Sequence, residues 1–179
     1  MDKKLNISSK YLMPGYAYGG SCLPKDLRSL EQLARMANVS VPLISSIRVS
    51  NDEHINQSIR AIERYGKKSL GFHGISFKEG TDDLRESPFV RLAEHFIGKG
   101  YRVKIYDEDV VPSRLLGANR KFIQDTAGHI LDLLVADPSE LCQCEVIVVC
   151  KDVPKRIEGL WQGKIVVDLR RTPREGILQ

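Results

Sequence analysis

The stretch Lys68-Ser69-Leu70-Gly71-Phe72-His73-Gly74-Ile75 is short and apolar, follows the turn residue Gly66, and reads as a strand. A charged loop over 76–86 follows it, and then Ser87-Pro88 opens a run with Phe89, Val90, Leu92, Ala93, Phe96 and Ile97 at helical spacing. Ser87 is a helix cap, Pro88 suits the first turn, and Gly98 and Gly100 close the helix. Arg102-Val103-Lys104-Ile105-Tyr106 then alternates as a second strand and ends at Asp107. A strand, a helix and a strand in that order predict a parallel pair joined by a right-handed crossover. The expected fold class is therefore α/β, a Rossmann-like parallel sheet.

Outward toward the C-terminus the same texture continues. Helical stretches are expected near 111–116 and 127–134 and a short helix over 138–141, with strands over 145–150 and 164–168. Toward the N-terminus the chain is helical instead. A stretch over 42–65 carries one apolar stripe of Leu43, Ile44 and Ile47 and another of Ile55, Ile59 and Ile62. Ser50-Asn51-Asp52-Glu53 between them has the look of a helix cap, which leaves one long helix and two abutting ones both open. Leu27, Leu30, Leu33, Ala34 and Ala37 mark a helix that starts at Pro24 and breaks at Asn38–Pro42, and residues 1–21 read as loop. The expected boundary lies near Gly66–Lys67: residues 1–66 helical, residues 67–179 an α/β domain that follows that helical segment. The stripes Leu27/Leu30/Ala34 and Ile55/Ile59/Ile62 exceed what a small α/β domain needs as cover, which predicts a homodimer through these helices.

Composition narrows the function. The 179 residues are 42% hydrophobic and 28% charged, which excludes a disordered, collagen-like or coiled-coil chain. Net charge is +4, from 27 Lys and Arg against 23 Asp and Glu, too mild and dispersed to call for nucleic acid but suited to a phosphate-bearing small ligand. No apolar run approaches the ~20 residues of a membrane helix, and no apolar export signal opens the chain. Cys22, Cys142, Cys144 and Cys150 form no C-x-x-C pair, so the expectation is a reduced, cytoplasmic chain without a structural metal.

Two segments carry chemistry. In Gly19-Gly20-Ser21-Cys22-Leu23-Pro24-Lys25-Asp26 a thiol stands at the start of a helix, where the dipole and Lys25 favour a thiolate nucleophile. Asp26 is placed to orient a water or act as a base. The plainer alternative is a small loop cysteine beside an ordinary capping carboxylate. The second segment, Ser76 to Pro88, lies between a strand and a helix, where open α/β sheets bind ligands. Its Lys78 and Arg85 suit phosphate oxygens, while a self-paired charged loop is the other reading. The dinucleotide fingerprint G-x-G-x-x-G is absent; Gly71-Phe72-His73-Gly74 comes nearest.

Together, Gly-Gly-Ser-Cys-Leu-Pro-Lys-Asp at 19–26 and Phe-Lys-Glu-Gly-Thr-Asp-Asp-Leu-Arg-Glu-Ser-Pro at 77–88 resemble the UDP-glucose/GDP-mannose dehydrogenase family. The lead-in from Leu5 to Tyr18 is most similar to its GDP-mannose 6-dehydrogenase branch. The resemblance covers the chain down to Val149. It implies a helical central and dimer-forming region followed by a C-terminal domain that binds the sugar nucleotide, in a chain lacking the family's N-terminal NAD-binding Rossmann domain. It further implies oxidation of a sugar C6 alcohol to the carboxylate with two NAD+, through a thiohemiacetal and a thioester on Cys22, with Asp26 placing the hydrolytic water.

By the same resemblance Lys25 and Arg85 contact NAD. Lys10, Tyr11, Met13, Tyr16, Gly19 and Lys78 contact the sugar nucleotide. The position of Met13 is often basic in the GDP-mannose branch, and a thioether cannot replace an arginine toward phosphate, so GDP-mannose and a UDP-sugar both stand as substrates. Without its cofactor domain the chain is expected to be inactive alone. The alternative is a free-standing nucleotide-sugar-binding or regulatory module without catalysis.

Overall fold

The structure, a computed structural model, describes residues 15–111, residue 125 and residues 128–170. Helix α1 spans Leu23–Met36 with Cys22 as its N-cap residue and Pro24 in its first turn. It is a largely exposed helix in which only Pro24 and Ala34 are buried. Helix α2 runs unbroken over Pro42–Glu63. The expected cap at 50–53 is therefore wrong. Those residues lie inside the helix, and the amide of Asn51 is buried against the loop before α1 rather than against a helix end.

Four strands form one sheet: β1 Ser69–His73, β2 Arg102–Tyr106, β3 Val146–Val149 and β4 Ile165–Asp168. Their spatial order is β2-β1-β3-β4, every pair parallel. The chain steps from β1 to β2 on one side, then crosses back to β3 on the other. The switch point therefore lies between β1 and β3, where the loops after them diverge and ligands enter such sheets. Helix α3, Pro88–Gly98, begins as expected on Ser87, whose hydroxyl accepts from the Phe89 amide at 3.2 Å and donates to the Ile75 carbonyl at 2.7 Å. That pair of bonds ties the helix start to the end of β1.

Farther on, α4 is described over Gly128–Leu131 and ends before residues 132–134 of the stretch expected over 127–134. A 3-10 helix over Pro138–Gln143 follows, capped by Asp137. A one-turn helix α5, Lys155–Glu158, precedes β4. The helix expected near 111–116 lies outside the described residues apart from Val111.

Strand alternation splits the core into two layers. Leu70, Phe72, Val146 and Val148 face α3 together with Ile55 and Ile62 of α2. Ile147 and Val149 face Leu141, Ile157 and Trp161. The Ile55/Ile59/Ile62 stripe thus packs on the chain's own sheet layer, which corrects its assignment to a dimer seam. The large apolar side chains left exposed among the described residues of the helical segment are others: Leu23, Leu30, Leu33 and Met36 of α1, then Val39, then Leu43, Ile47 and Val49 of α2.

Candidate functional site

The two chemistry-bearing segments are folded against each other. Glycine makes this possible at two adjacent positions. A Cβ on Gly19 would stand 2.3 Å from the Glu86 carbonyl oxygen, and Gly20, at φ +89°, has the Phe77 ring where its Cβ would be. The Gly20 amide donates to the Arg85 carbonyl at 3.1 Å. From the other side Asn51 pins the loop, its Oδ1 accepting from the Tyr18 amide at 2.8 Å and its Nδ2 donating to the Tyr18 carbonyl at 3.1 Å. Cys22 follows directly and is exposed, with the Ser21 hydroxyl 3.8 Å from its sulfur.

The other cysteines differ. Cys144 and Cys150 are buried, and burial pushes both thiols up from their ordinary range. Cys142 is half-buried and donates to the Leu160 carbonyl. Lys25 and Asp26 are exposed in the first turn of α1 and pair with each other at 3.4 Å.

Arg85 is fixed by a fork. Its Nε and one terminal nitrogen donate to the two oxygens of Asp83 at 2.8 and 2.7 Å, and the Asp83 carboxylate also accepts from the Arg85 amide. Burial works against the charge on Asp83, but the Arg85 bonds outweigh it and hold the carboxyl below its ordinary range. Arg85 in turn is raised chiefly by its bonds to Asp83. Glu86 adopts φ +48°, a conformation non-glycine residues rarely take, and its carboxylate receives both terminal nitrogens of Arg28 at 3.0 and 2.5 Å. That bidentate pair moors α1 to the Arg85 loop.

Beside this junction is a pocket of about 300 Å³ lined by Tyr16, Phe77, Lys78, Phe89, Lys151 and Arg170, among others. Tyr16 stacks on Phe89 with ring centroids 5.2 Å apart, and burial raises its hydroxyl's pKa. The Lys78 ammonium lies 5.5 Å from the Phe77 ring centroid. Arg170 grips Asp168 through Nε and a terminal nitrogen. A roomier cleft of about 420 Å³ opens at the switch point, but Glu79, Asp107, Glu108, Asp109 and Asp152 surround its one ammonium, Lys151. Glu79, Asp152 and Lys151 line both, but the smaller pocket adds Lys78 and Arg170 and lacks Asp107, Glu108 and Asp109, so it is the better anion site.

The structure thus brings Gly19, Cys22 and Arg85 to one junction and places Tyr16 and Lys78 in the adjoining pocket. Lys25 and Asp26 stand a turn into α1, joined to each other. Lys10, Tyr11 and Met13 lie outside the described residues. Asn51, Lys151 and Arg170 were missed by sequence reasoning. Lys151 and Arg170 each stand two residues past the ends of β3 and β4, and the rule that ligands enter at the carboxyl ends of strands is the signal that could have found them. Among the described residues no group of three or more His, Cys, Asp and Glu side chains could hold a metal, and no helix is long and apolar enough to cross a membrane.

Comparison with known proteins bears on this geometry. Residues 1–53 match the UDP-glucose/GDP-mannose dehydrogenase family, central domain, and residues 71–174 match that family's UDP binding domain. GDP-mannose 6-dehydrogenase from Pseudomonas aeruginosa is 43% identical over 172 residues, covering 94% of this chain and 39% of the relative. The Pseudomonas putida enzyme of that name is 42% identical with the same coverage. The chain therefore spans about two fifths of the length of these relatives. A crystal structure of a ternary complex of GDP-mannose dehydrogenase from P. aeruginosa superposes with a TM-score of 0.84 at 38% identity, covering 99% of this chain and 42% of that one. UDP-glucose dehydrogenase from Pyrobaculum islandicum gives 0.74 at 28% identity, covering 96% of this chain and 38% of the other.

Proposed function

Because the chain belongs to the UDP-glucose/GDP-mannose dehydrogenase family, we propose that it supplies the thiol loop and sugar-nucleotide pocket of an NAD-dependent nucleotide-sugar 6-dehydrogenase. The substrate is GDP-mannose or a related UDP-sugar, and the product its C6 carboxylate. One observation carries this reading: the Gly19–Gly20 backbone seats an exposed thiol against the Arg85 segment, whose Phe77 and Lys78 also line the adjoining pocket.

In the reaction, the Cys22 thiolate adds to the C6 aldehyde carbon and holds it as a thiohemiacetal. Once that carbon is oxidised to the thioester, water placed by Asp26 attacks it, and the C–S bond breaks with the thiolate as leaving group. Arg85, oriented by Asp83 yet still partly open to solvent, and the exposed Lys25 suit an anionic dinucleotide beside the thiol. Bound NAD+ would supply the hydride acceptor, one molecule for each of the two oxidations. Lys78 and the Tyr16–Gly19 loop, with Lys10, Tyr11 and Met13 before it, take the sugar nucleotide.

We divide the chain at Gly66–Lys67 into a helical dimer-forming segment and a sugar-nucleotide-binding domain. The homodimer forms on the apolar face of α1 and the first half of α2, where Leu33, Met36 and Leu43 are exposed. Free thiols suit a reducing compartment, and we place the chain in the cytoplasm. A thermal-shift screen of GDP-mannose, UDP-glucose and UDP-N-acetylmannosamine tests the substrate class. A rise in Tm with at least one is expected; none with any of the three contradicts the reading.

A further inference from the structure

We propose that Lys151 is a positioning residue whose buried ammonium sets the 75–80 segment and, through Phe77, the loop that carries Cys22. Lys151 is 6% exposed, and its Nζ donates to Asp107 Oδ1 and Asp109 Oδ2, each at 2.8 Å. The Asp107 side chain is wholly buried. Its Oδ2 accepts from the Ile75 amide at 2.7 Å and the Ser76 amide at 3.1 Å, and its Oδ1 also accepts from the Asp109 amide. Asp109 Oδ2 accepts from the Gly80 amide at 3.0 Å. One cation therefore holds two carboxylates, and those two hold both ends of a segment whose middle is Phe77 and Lys78.

The lysine stem is fixed as well. A Cβ on Gly74, at φ +95°, would stand 2.6 Å from Lys151 Cγ, so only glycine lets the stem lie this close over the end of β1. Beyond the segment, the Phe77 ring fills the space beside Gly20, two residues before Cys22. The loops after β1, β2 and β3 thus meet at one ammonium, and the thiol loop rests on what that ammonium holds. A buried carboxylate needs its partner, which makes the arrangement sensitive to loss of charge at position 151.

Lys151→Met alone leaves Asp107 buried without its cation and invites unfolding, so two other variants carry the test. Asp107→Asn/Lys151→Met removes both charges together. Asp109→Ala keeps the Asp107–Lys151 pair and removes only the Gly80 anchor. Amide hydrogen exchange on the 179-residue chain is expected to speed up tenfold or more at Gly80 in both variants, and at Ser76 in the double variant. Leu70 and Phe72 in β1 are expected to keep their protection. The iodoacetamide rate at Cys22 is expected to change at least threefold in the double variant. Unchanged exchange at Gly80 overturns the anchoring, and an unchanged Cys22 rate overturns the relay through Phe77.

The part that concerns Lys78 rests on the proposed function, and a loss of about tenfold in nucleotide-sugar affinity in both variants is expected. Equal affinity in wild type and variants overturns it. If the wild-type chain binds no nucleotide sugar, the functional reading fails, and the exchange and alkylation results still decide the role of Lys151.

Discussion

The Gly20 amide donates to the Arg85 carbonyl at 3.1 Å, a bond across 65 residues of sequence that joins the thiol loop to the charged loop after β1. Its neighbour Gly19 leaves no room for a side chain, since the Glu86 carbonyl oxygen occupies the place of its Cβ. Gly19→Ala forces two backbones apart and is expected to destabilise the chain by about 1–3 kcal/mol, the range for overpacking a close contact. At roughly 2–4 °C per kcal/mol for a chain of this size, Tm falls measurably. A Tm within 1 °C of wild type, on the order of the measurement error, argues against the close approach.

Cys22 is the thiol expected to react first. It is exposed at a helix start, whereas burial raises the pKa of Cys144 and Cys150 and Cys142 is half-covered and hydrogen-bonded. Mass mapping after brief iodoacetamide treatment reads the order directly. Labelling of Cys142 ahead of Cys22 contradicts it.

Asp83 makes stability depend on pH. Its folded pKa is depressed, so its contribution is fully present above the unfolded value, about 3.9, and is lost as pH falls through the folded one. Arg85 is more than a third exposed, and solvent screening limits the pair to about 1 kcal/mol. Asp83→Asn is expected to lower Tm at neutral pH, with the gap from wild type narrowing below about pH 4. A gap that widens on acidification gives the wrong sign.

The exposed leucines of α1 predict self-association. Leu33→Glu/Met36→Glu places two charges on the apolar face without touching the sheet core. Light scattering at micromolar concentration is expected to show a wild-type dimer and a variant monomer. A wild-type monomer removes the dimer, and an unchanged variant dimer moves it to another face.

Much of this architecture is written locally. Arg102–Tyr106 alternates with period two and is β2 residue for residue, and Ser87-Pro88 caps α3 where a serine and a proline side by side leave little choice. What depends on distant partners is not. Ser50-Asn51-Asp52-Glu53 has the composition of a helix cap, yet Asn51 spends its amide on Tyr18, 33 residues away, and the helix runs through. Ile55, Ile59 and Ile62 announce a face that must be covered, but nothing local says whether another copy or the chain's own sheet covers it. At the site, Cys22, Lys78 and Arg85 were legible because they stand in glycine-rich or charged loops at element ends. Lys151 was not, since a lysine after a buried strand looks like ordinary surface until Asp107 and Asp109 close around it.

The 179-residue polypeptide is expected to release no NADH from GDP-mannose, since no strand–helix unit with a dinucleotide fingerprint occurs within it. A fluorimetric assay with excess NAD+ checks this. Steady turnover that Cys22→Ala abolishes shows that these residues alone suffice for catalysis and contradicts the division of labour proposed above.

Calorimetric titration of GDP-mannose into the wild-type chain and into Lys78→Ala tests the nucleotide-sugar pocket most directly. The pocket beside Cys22 predicts saturable binding to wild type and a loss of about tenfold in affinity, near 1.4 kcal/mol, once the Lys78 ammonium is removed. GDP-mannose, UDP-glucose and UDP-N-acetylmannosamine all failing to bind, or binding equally well without Lys78, would contradict it.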